Sequence, residues 1–383
     1  MIRIISSTDR AALERLIARR SRGDRAFDRQ VQTIVERVRK GGDRALLAFA
    51  RRFDGIRPPL EVGVDEMQEQ ATRVPADVRR AIRQAARNIA RVAFRQIPKH
   101  WDLEVVPGVS IEQRIEPIAR VGCYVPGGRY PLPSSLLMTA IPAAAAGVTD
   151  VIAVCPRPEP VVMAAALEAG VSRLFRIGGA HAIAAMAYGT ETVPRVDKIV
   201  GPGNRWVAEA KALVSGDCAI DFYAGPTEIV VVAGSGRARW WAADLIAQAE
   251  HDPEARSLFI TWRPAFAERV AKEVDALANR LAPEHLVVDT EALIERPITA
   301  GAVFVGPFTA QAAGDYATGS NHVLPTSGAA RFRGGLNAAD YVRVMAVQRL
   351  SQKGLRALAP SIVALARAEG LDGHAESIEA RLS

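Results

Sequence analysis

From residue 103 to 305 the chain alternates short apolar, β-branched runs with longer helix-compatible segments, and this rhythm limits the fold more than any other feature. The runs lie at 105–106, 118–125, 151–154, 198–200, 229–232, 258–261 and 302–305. Between most of them stand helical segments at 134–147, 160–169, 179–189, 203–214, 238–250 and 264–281. Continuously apolar strands must be covered on both faces, and helices returning between them produce parallel sheets. The first hundred residues read instead as helices. Thr8 or Asp9 offers a cap with Leu13, Leu16 and Ile17 on one face behind it, and further helices are predicted at 25–40, 42–54 and 75–95, the last ended by Pro98. Beyond 337 the chain is expected to be helical again, with a break at Gly370 before a short last helix. No repeat, low-complexity tract or flexible linker separates these parts, so the domains are expected to share interfaces.

At 383 residues the chain is too long for one ordinary core and implies two large domains with smaller elements. Hydrophobic residues make up 49% and charged residues 24%, which excludes a disordered chain. The longest Ala-rich run, 138–148, is interrupted by Pro142 and is too short to span a bilayer, so no membrane role is expected. Arg3, Asp9 and Arg10 break any leader pattern, and a cytoplasmic protein is expected. Cys123, Cys155 and Cys218 are widely spaced in or beside apolar runs and read as buried free thiols. The net charge of +7 is spread along arginine-rich helices, beginning with Arg15, Arg19, Arg20 and Arg22, rather than gathered into a stripe with aromatics. Nucleic acid is therefore not an expected partner.

Six histidines narrow the chemistry. His100 sits in a polar turn and reads as exposed. Gln248 and His251 are three apart, so a helix projects both from one face, where an amide oxygen and an imidazole could share a metal ion. A helix end whose dipole meets His251 is the other reading. Glu284 and His285 stand between a helix and an apolar strand, suited to proton transfer near neutrality or simply to a polar turn. The loop 314–322 supplies Asp315 and His322, and His374 follows Glu369 by five positions near the C-terminus. No GxGxxG joins a strand to a helix. In its place stand glycine turns at 124–128, 178–181 and 201–204, each after an apolar run, where backbone N–H groups could meet phosphate oxygens.

Read together, YVPGG at 124–128, LPSSLLMTAIPA at 132–143, GPGN at 201–204, AGPTE at 224–228, QAEHDP at 248–253, APEHL at 282–286 and AGDYATGSNHVLPT at 313–326 resemble the histidinol dehydrogenase family over nearly the whole chain. The resemblance implies an α/β fold of two incomplete Rossmann-like domains with helical N- and C-terminal extensions. It divides the chain into an N-terminal helical segment at 1–24, a discontinuous α/β domain at 25–123 and 228–336 carrying most metal and catalytic residues, and a second, NAD-binding α/β domain at 124–227. Helical elements at 337–383 would contribute to the site and to an intertwined homodimer. The implied reaction is the four-electron oxidation of L-histidinol, through the aldehyde, to L-histidine with NAD. One zinc per subunit would sit on Gln248, His251, Asp315 and His374, with Glu284 and His285 as the proton-transfer pair. Tyr124, His181 and Asn204 match NAD-contacting positions. Thr227, His322 and Glu369 match substrate-contacting positions beside His285 and the metal ligands, Glu369 across the dimer interface.

Three features depart from the family pattern: His181 where glutamine is expected, Thr227 where serine is usual, and a short segment between Thr261 and Ala282. They feed an alternative, a related dehydrogenase of another small alcohol such as a sulfonated diol. A catalytically silent relative kept for binding or assembly is the second alternative; the full set of acid–base and metal candidates argues against it.

Overall fold

A computed structural model describes residues 9–17, 25–127, 131–223, 227–234, 238–251, 255–261, 281–295 and 297–383. The chain begins with α1 (Arg10–Ile17), α2 (Arg25–Phe49), β1 (Glu61–Val62), α3 (Val64–Thr72), α4 (Ala76–Gln96), β2 (Trp101–Val106), β3 (Val109–Pro117) and β4 (Arg120–Tyr124). Then come α5 (Pro133–Ala145), β5 (Asp150–Val154), α6 (Pro160–Glu168), β6 (Arg173–Phe175), α7 (Gly179–Tyr188), β7 (Lys198–Val200), α8 (Arg205–Val214) and β8 (Ala219–Ile220). The remaining elements are β9 (Glu228–Val232), α9 (Ala238–His251), β10 (Arg256–Ile260), β11 (His285–Val288), β12 (Ala302–Val305), α10 (Gln311–Tyr316), β13 (Val342–Leu350), α11 (Gln352–Ala368) and α12 (Asp372–Glu379).

The expected alternation builds two sheets. One has six strands in the order β1-β6-β5-β4-β7-β8, parallel except for β1, and the other four parallel strands in the order β10-β9-β11-β12. Along β4 and β5 successive side chains enter opposite cores. Val121, Cys123, Val151 and Ala153 join α3–α6, whereas Tyr124, Ile152 and Val154 join α2, α7 and α8. This two-sided covering is why these strands read as continuous apolar runs. The three cysteines are buried and unpaired, as expected.

Several expectations are corrected. Residues 342–350 form a strand, not helix: VRVMAVQRL pairs antiparallel along β3, and β13-β3-β2 is a third sheet. Strand β3 itself lies where no strand was expected. The grouping of 25–123 with 228–336 is not that of the sheets, because β1 and β4 belong to the six-stranded sheet and α2 lies against α7. Helix α2 runs to Phe49 through a kink at Gly42 and ends in a π-turn at 50–54. Asp9 does cap α1, accepting from the Ala12 N–H at 2.9 Å. The helix expected at 264–281 lies outside the described residues except for its last position, as do Gly128, Thr8 and the side chains of Leu13, Leu16 and Ile17. No helix among the described residues is long and apolar enough to cross a membrane.

One buried ion pair shapes the end of β7. Lys211 Nζ bonds Asp221 Oδ1 and donates to the Gly201 carbonyl at 3.0 Å, while Asp221 Oδ2 accepts from the Gly201 N–H at 2.8 Å. Both backbone polar groups of Gly201 are thus held by one pair. Gly201 has φ +114°, and a Cβ there would strike the Tyr124 carbonyl, so glycine is required. Removing one partner of a buried pair strands the other charge. Lys211→Met is expected to destabilise the fold by about 3–5 kcal/mol in urea unfolding; a loss under about 1 kcal/mol, the worth of an exposed pair, would show that this one is not confined.

Candidate active site

The head of β11 brings the acid–base candidates together. His285 opens the strand and lies between β9 and β12, paired with Ile229 and Ala302. Glu284 precedes it, and its Oε2 accepts from the Thr227 hydroxyl at 2.5 Å and from the Glu228 N–H at 3.0 Å. The Glu228 carbonyl faces His285 Nδ1 at 3.2 Å. The backbone of one residue, Glu228 at the start of β9, therefore orients both: its N–H holds Glu284 and its carbonyl holds His285. A carbonyl can only accept, so Nδ1 carries the proton and Nε2 keeps its lone pair. Burial lowers the His285 pKa, against the opposing pull of Asp315 and the Glu228 carbonyl, which favours the neutral ring.

Helices α9 and α10 complete the group. Gln248, fully buried on α9, donates through Nε2 to Thr227 Oγ1. Its Oε1 is buried and without a hydrogen-bond partner among the described residues. On α10, Gln311 Nε2 donates to Asp315 Oδ2 at 2.7 Å and lies 3.4 Å from His285 Nε2. Gly314 seats α10 on β12, since a Cβ there would come within 2.6 Å of the Phe304 ring. His322 Nδ1 stands 3.0 Å from the Asp315 carbonyl. Sequence reasoning missed Gln311, Glu228 and Asp244. The last accepts from the Gln311 N–H, and burial raises its pKa. The only signal was spacing: Asp244 and Gln248, like Gln311 and Asp315, are four apart on one helix.

The glycine turns collect at the carboxyl ends of β4, β6 and β7. The Tyr124 hydroxyl accepts from the Gly179 N–H at 3.0 Å, and Asn204 caps α8 by accepting from the Trp206 and Val207 N–H groups. His181 is buried, with Nε2 2.8 Å from Asp54 Oδ2 and its ring packed beside both Phe49 and Phe53, which stack on each other. Asp54 also accepts from the Gly178 N–H.

The histidinol dehydrogenase family model matches residues 17–281 and 276–382. This chain belongs to the histidinol dehydrogenase family. It is 41% identical to the histidinol dehydrogenase of Aromatoleum aromaticum, covering 97% of this chain and 95% of the relative. It is 42% identical to that of Syntrophotalea carbinolica, covering 100% and 99%. The crystal structure of histidinol dehydrogenase from Elizabethkingia anophelis matches with a TM-score of 0.90 at 31% identity, covering 97% and 96%. The family match is broken near 276–281, and the alignment with the Syntrophotalea relative spans 428 positions, more than the 383 residues here. Both fit a shortened segment before Ala282, most of which lies outside the described residues.

Of the family's expected metal set, Gln248 and Asp315 join the group, whereas the His251 side chain lies outside the described residues. His374 and Glu369 are exposed at α12 and the end of α11, and α12 packs on α11. Among the described residues, no three His, Cys, Asp or Glu side chains converge as a metal cluster. The Thr227 hydroxyl bridges Gln248 and Glu284, a link serine could also make.

Burial lifts the Glu228 carboxyl to about 7; Arg256 opposes the rise, Glu284 adds to it, and the Ser327 N–H and Arg331 oppose it in turn. The folded chain then retains a proton that the unfolded chain, at about 4.5, has released. The stability this contributes is full below pH 4.5 and lost as pH rises to about 7. Glu228→Gln should therefore gain stability relative to the parent across that window in paired urea titrations, and then level off. A difference independent of pH would contradict the raised value.

Proposed function

We propose that this chain oxidises L-histidinol through L-histidinaldehyde to L-histidine, as a zinc- and NAD-dependent enzyme of histidine biosynthesis in the cytoplasm. The observation that carries this reading is the junction at β11, where a carboxylate and an imidazole have fixed partners beside a buried amide oxygen that has none among the described residues.

A buried Gln248 Oε1 without a hydrogen-bond partner among the described residues is what an amide oxygen kept for a cation requires. Asp315 adds a carboxylate, and we assign the zinc to Gln248, His251, Asp315 and His374, one per subunit. When bound, the metal would hold substrate nitrogens and so fix the alcohol carbon. The order β6-β5-β4-β7-β8 supports a Rossmann-like reading, with the strand order reversing between β4 and β7, and β10-β9-β11-β12 supports a smaller version. Crevices at such reversals take dinucleotides, so we place NAD by Tyr124, His181 and Asn204.

NAD, when bound, would accept the hydride that leaves the substrate carbon in each oxidation. His285 takes the hydroxyl proton at Nε2 as the first hydride leaves, producing the aldehyde. Glu284 then takes a proton from water as it adds to the aldehyde carbon, and the hydrate loses the second hydride to become the acid. His285 passes the released protons outward. Thr227, His322 and Glu369 complete the substrate's surroundings.

An intertwined homodimer completes the site. Glu369 and His374 are exposed on their own chain, so we assign the partner subunit's Glu369 and the partner subunit's His374 to each site. The β13-β3-β2 sheet supports this with exposed Trp101, Leu103 and Val344 on one face, apolar surface suited to a second copy. His285→Asn should lower turnover of L-histidinol by about 10²–10⁴-fold with zinc retained, and His374→Ala should lose zinc. Co-expressed, the two variants should form hybrid dimers with one intact site and regain activity. Unchanged turnover in His285→Asn would sink the acid–base assignment, and absence of recovery would sink the shared site.

A further inference from the structure

The Gln311 side chain touches both halves of the site without belonging to either. Its position is set from three directions. Asp244, one turn before Gln248 on α9, receives the Gln311 backbone N–H, fixing the start of α10 against α9. Gly314 lets the rest of α10 settle on the Phe304 ring. The side chain then reaches Asp315 Oδ2 at 2.7 Å and His285 Nε2 at 3.4 Å, both from the same nitrogen.

The orientation of the amide follows from its neighbours. A carboxylate only accepts, so the atom facing Asp315 must be the NH₂ group. The His285 ring, protonated at Nδ1 towards the Glu228 carbonyl, also presents a lone pair at Nε2. Two acceptors therefore face one donor group, and turning the amide over would set oxygen against both. The cost falls on the other end: Oε1 is buried and lacks a donor among the described residues, and the residue as a whole is fully buried. For packing alone, an apolar side chain of this size would serve better, since a buried acceptor without a partner is a net loss. The residue is explained by its N–H groups.

We infer that Gln311 is a positioning residue that ties the metal-binding carboxylate of Asp315 to the proton-transfer imidazole of His285. The inference rests on the metal and acid–base assignments made above. Its action is on geometry: holding Oδ2 turns the Asp315 carboxylate about its own axis, and the same amide keeps Nε2, the atom that receives the substrate proton, beside it. Ligand-orienting partners of this kind change metal affinity or activity by about 10–100-fold when removed.

The test is Gln311→Met, which keeps length and volume but has no N–H. Zinc affinity is measured by competition with a chromophoric chelator, alongside the melting temperature of the metal-free protein and turnover of L-histidinol. The expected result is a metal-free melting temperature equal to or above the parent's, zinc affinity weaker by about 10–100-fold, and a reduced kcat even at saturating zinc. Parental zinc affinity and kcat would overturn the inference. An unfolded or strongly destabilised variant would also overturn it, making Gln311 a packing residue. Asp315→Ala, measured in parallel, separates this from the reading beneath it. If Asp315→Ala loses zinc while Gln311→Met binds normally, only the role of Gln311 fails; if Asp315→Ala keeps zinc, the metal assignment fails first.

Discussion

The Glu284 carboxylate, held by the Thr227 hydroxyl and the Glu228 N–H, is the contact on which the rest of the site depends. A buried carboxylate is tolerated only where donors replace water, and both donors here come from the entrance of β9. The same residue, Glu228, presents its carbonyl to His285, so the parallel pairing of β9 with β11 fixes the acid and the base relative to each other before any ligand is considered. Thr227 extends the arrangement to α9 through Gln248, and Gln311 extends it to α10. Two strands and two helices thus meet at one hydrogen-bonded group.

The two parallel sheets are joined by the 321–327 loop. Asn321 donates to the Met138 carbonyl on α5, and the Ser327 N–H serves the Glu228 carboxyl on β9. Arg333 reaches the Asp221 carbonyl and the Asp340 carboxylate, adding a polar tie from this region back to the ion pair behind Gly201. The turn after β7 and the junction at β11 are therefore parts of one framework, as a reaction between two bound molecules requires.

Most of the parallel strands were legible because they are apolar on both faces: the runs at 151–154, 198–200 and 302–305 match β5, β7 and β12 within a residue, while the very short β6 and β8 went unread. Strands β3 and β13 were not. Their side chains are mostly half-buried or exposed, and VRVMAVQRL suits a helix or a strand equally until its distant partner at 109–117 is known. For the site, family motifs pointed to Glu284, His285, Gln248 and Asp315, which the fold brings into one group. Gln311 and Asp244 escaped notice because four-residue spacing acquires meaning only when two helices face the same strand end. His181 shows the converse: its sequence position marks the glycine turn, but its partner Asp54 comes from the end of the α2 region, 127 positions away.

The proposed activity places two successive oxidations of one held substrate at this junction. The direct measurement is the NADH formed per L-histidinol consumed, by protein as purified, after chelator treatment, and after zinc is restored. The account predicts two NADH per histidinol, lost on chelation and recovered with zinc. One NADH with free aldehyde accumulating, or turnover indifferent to metal removal, would contradict it.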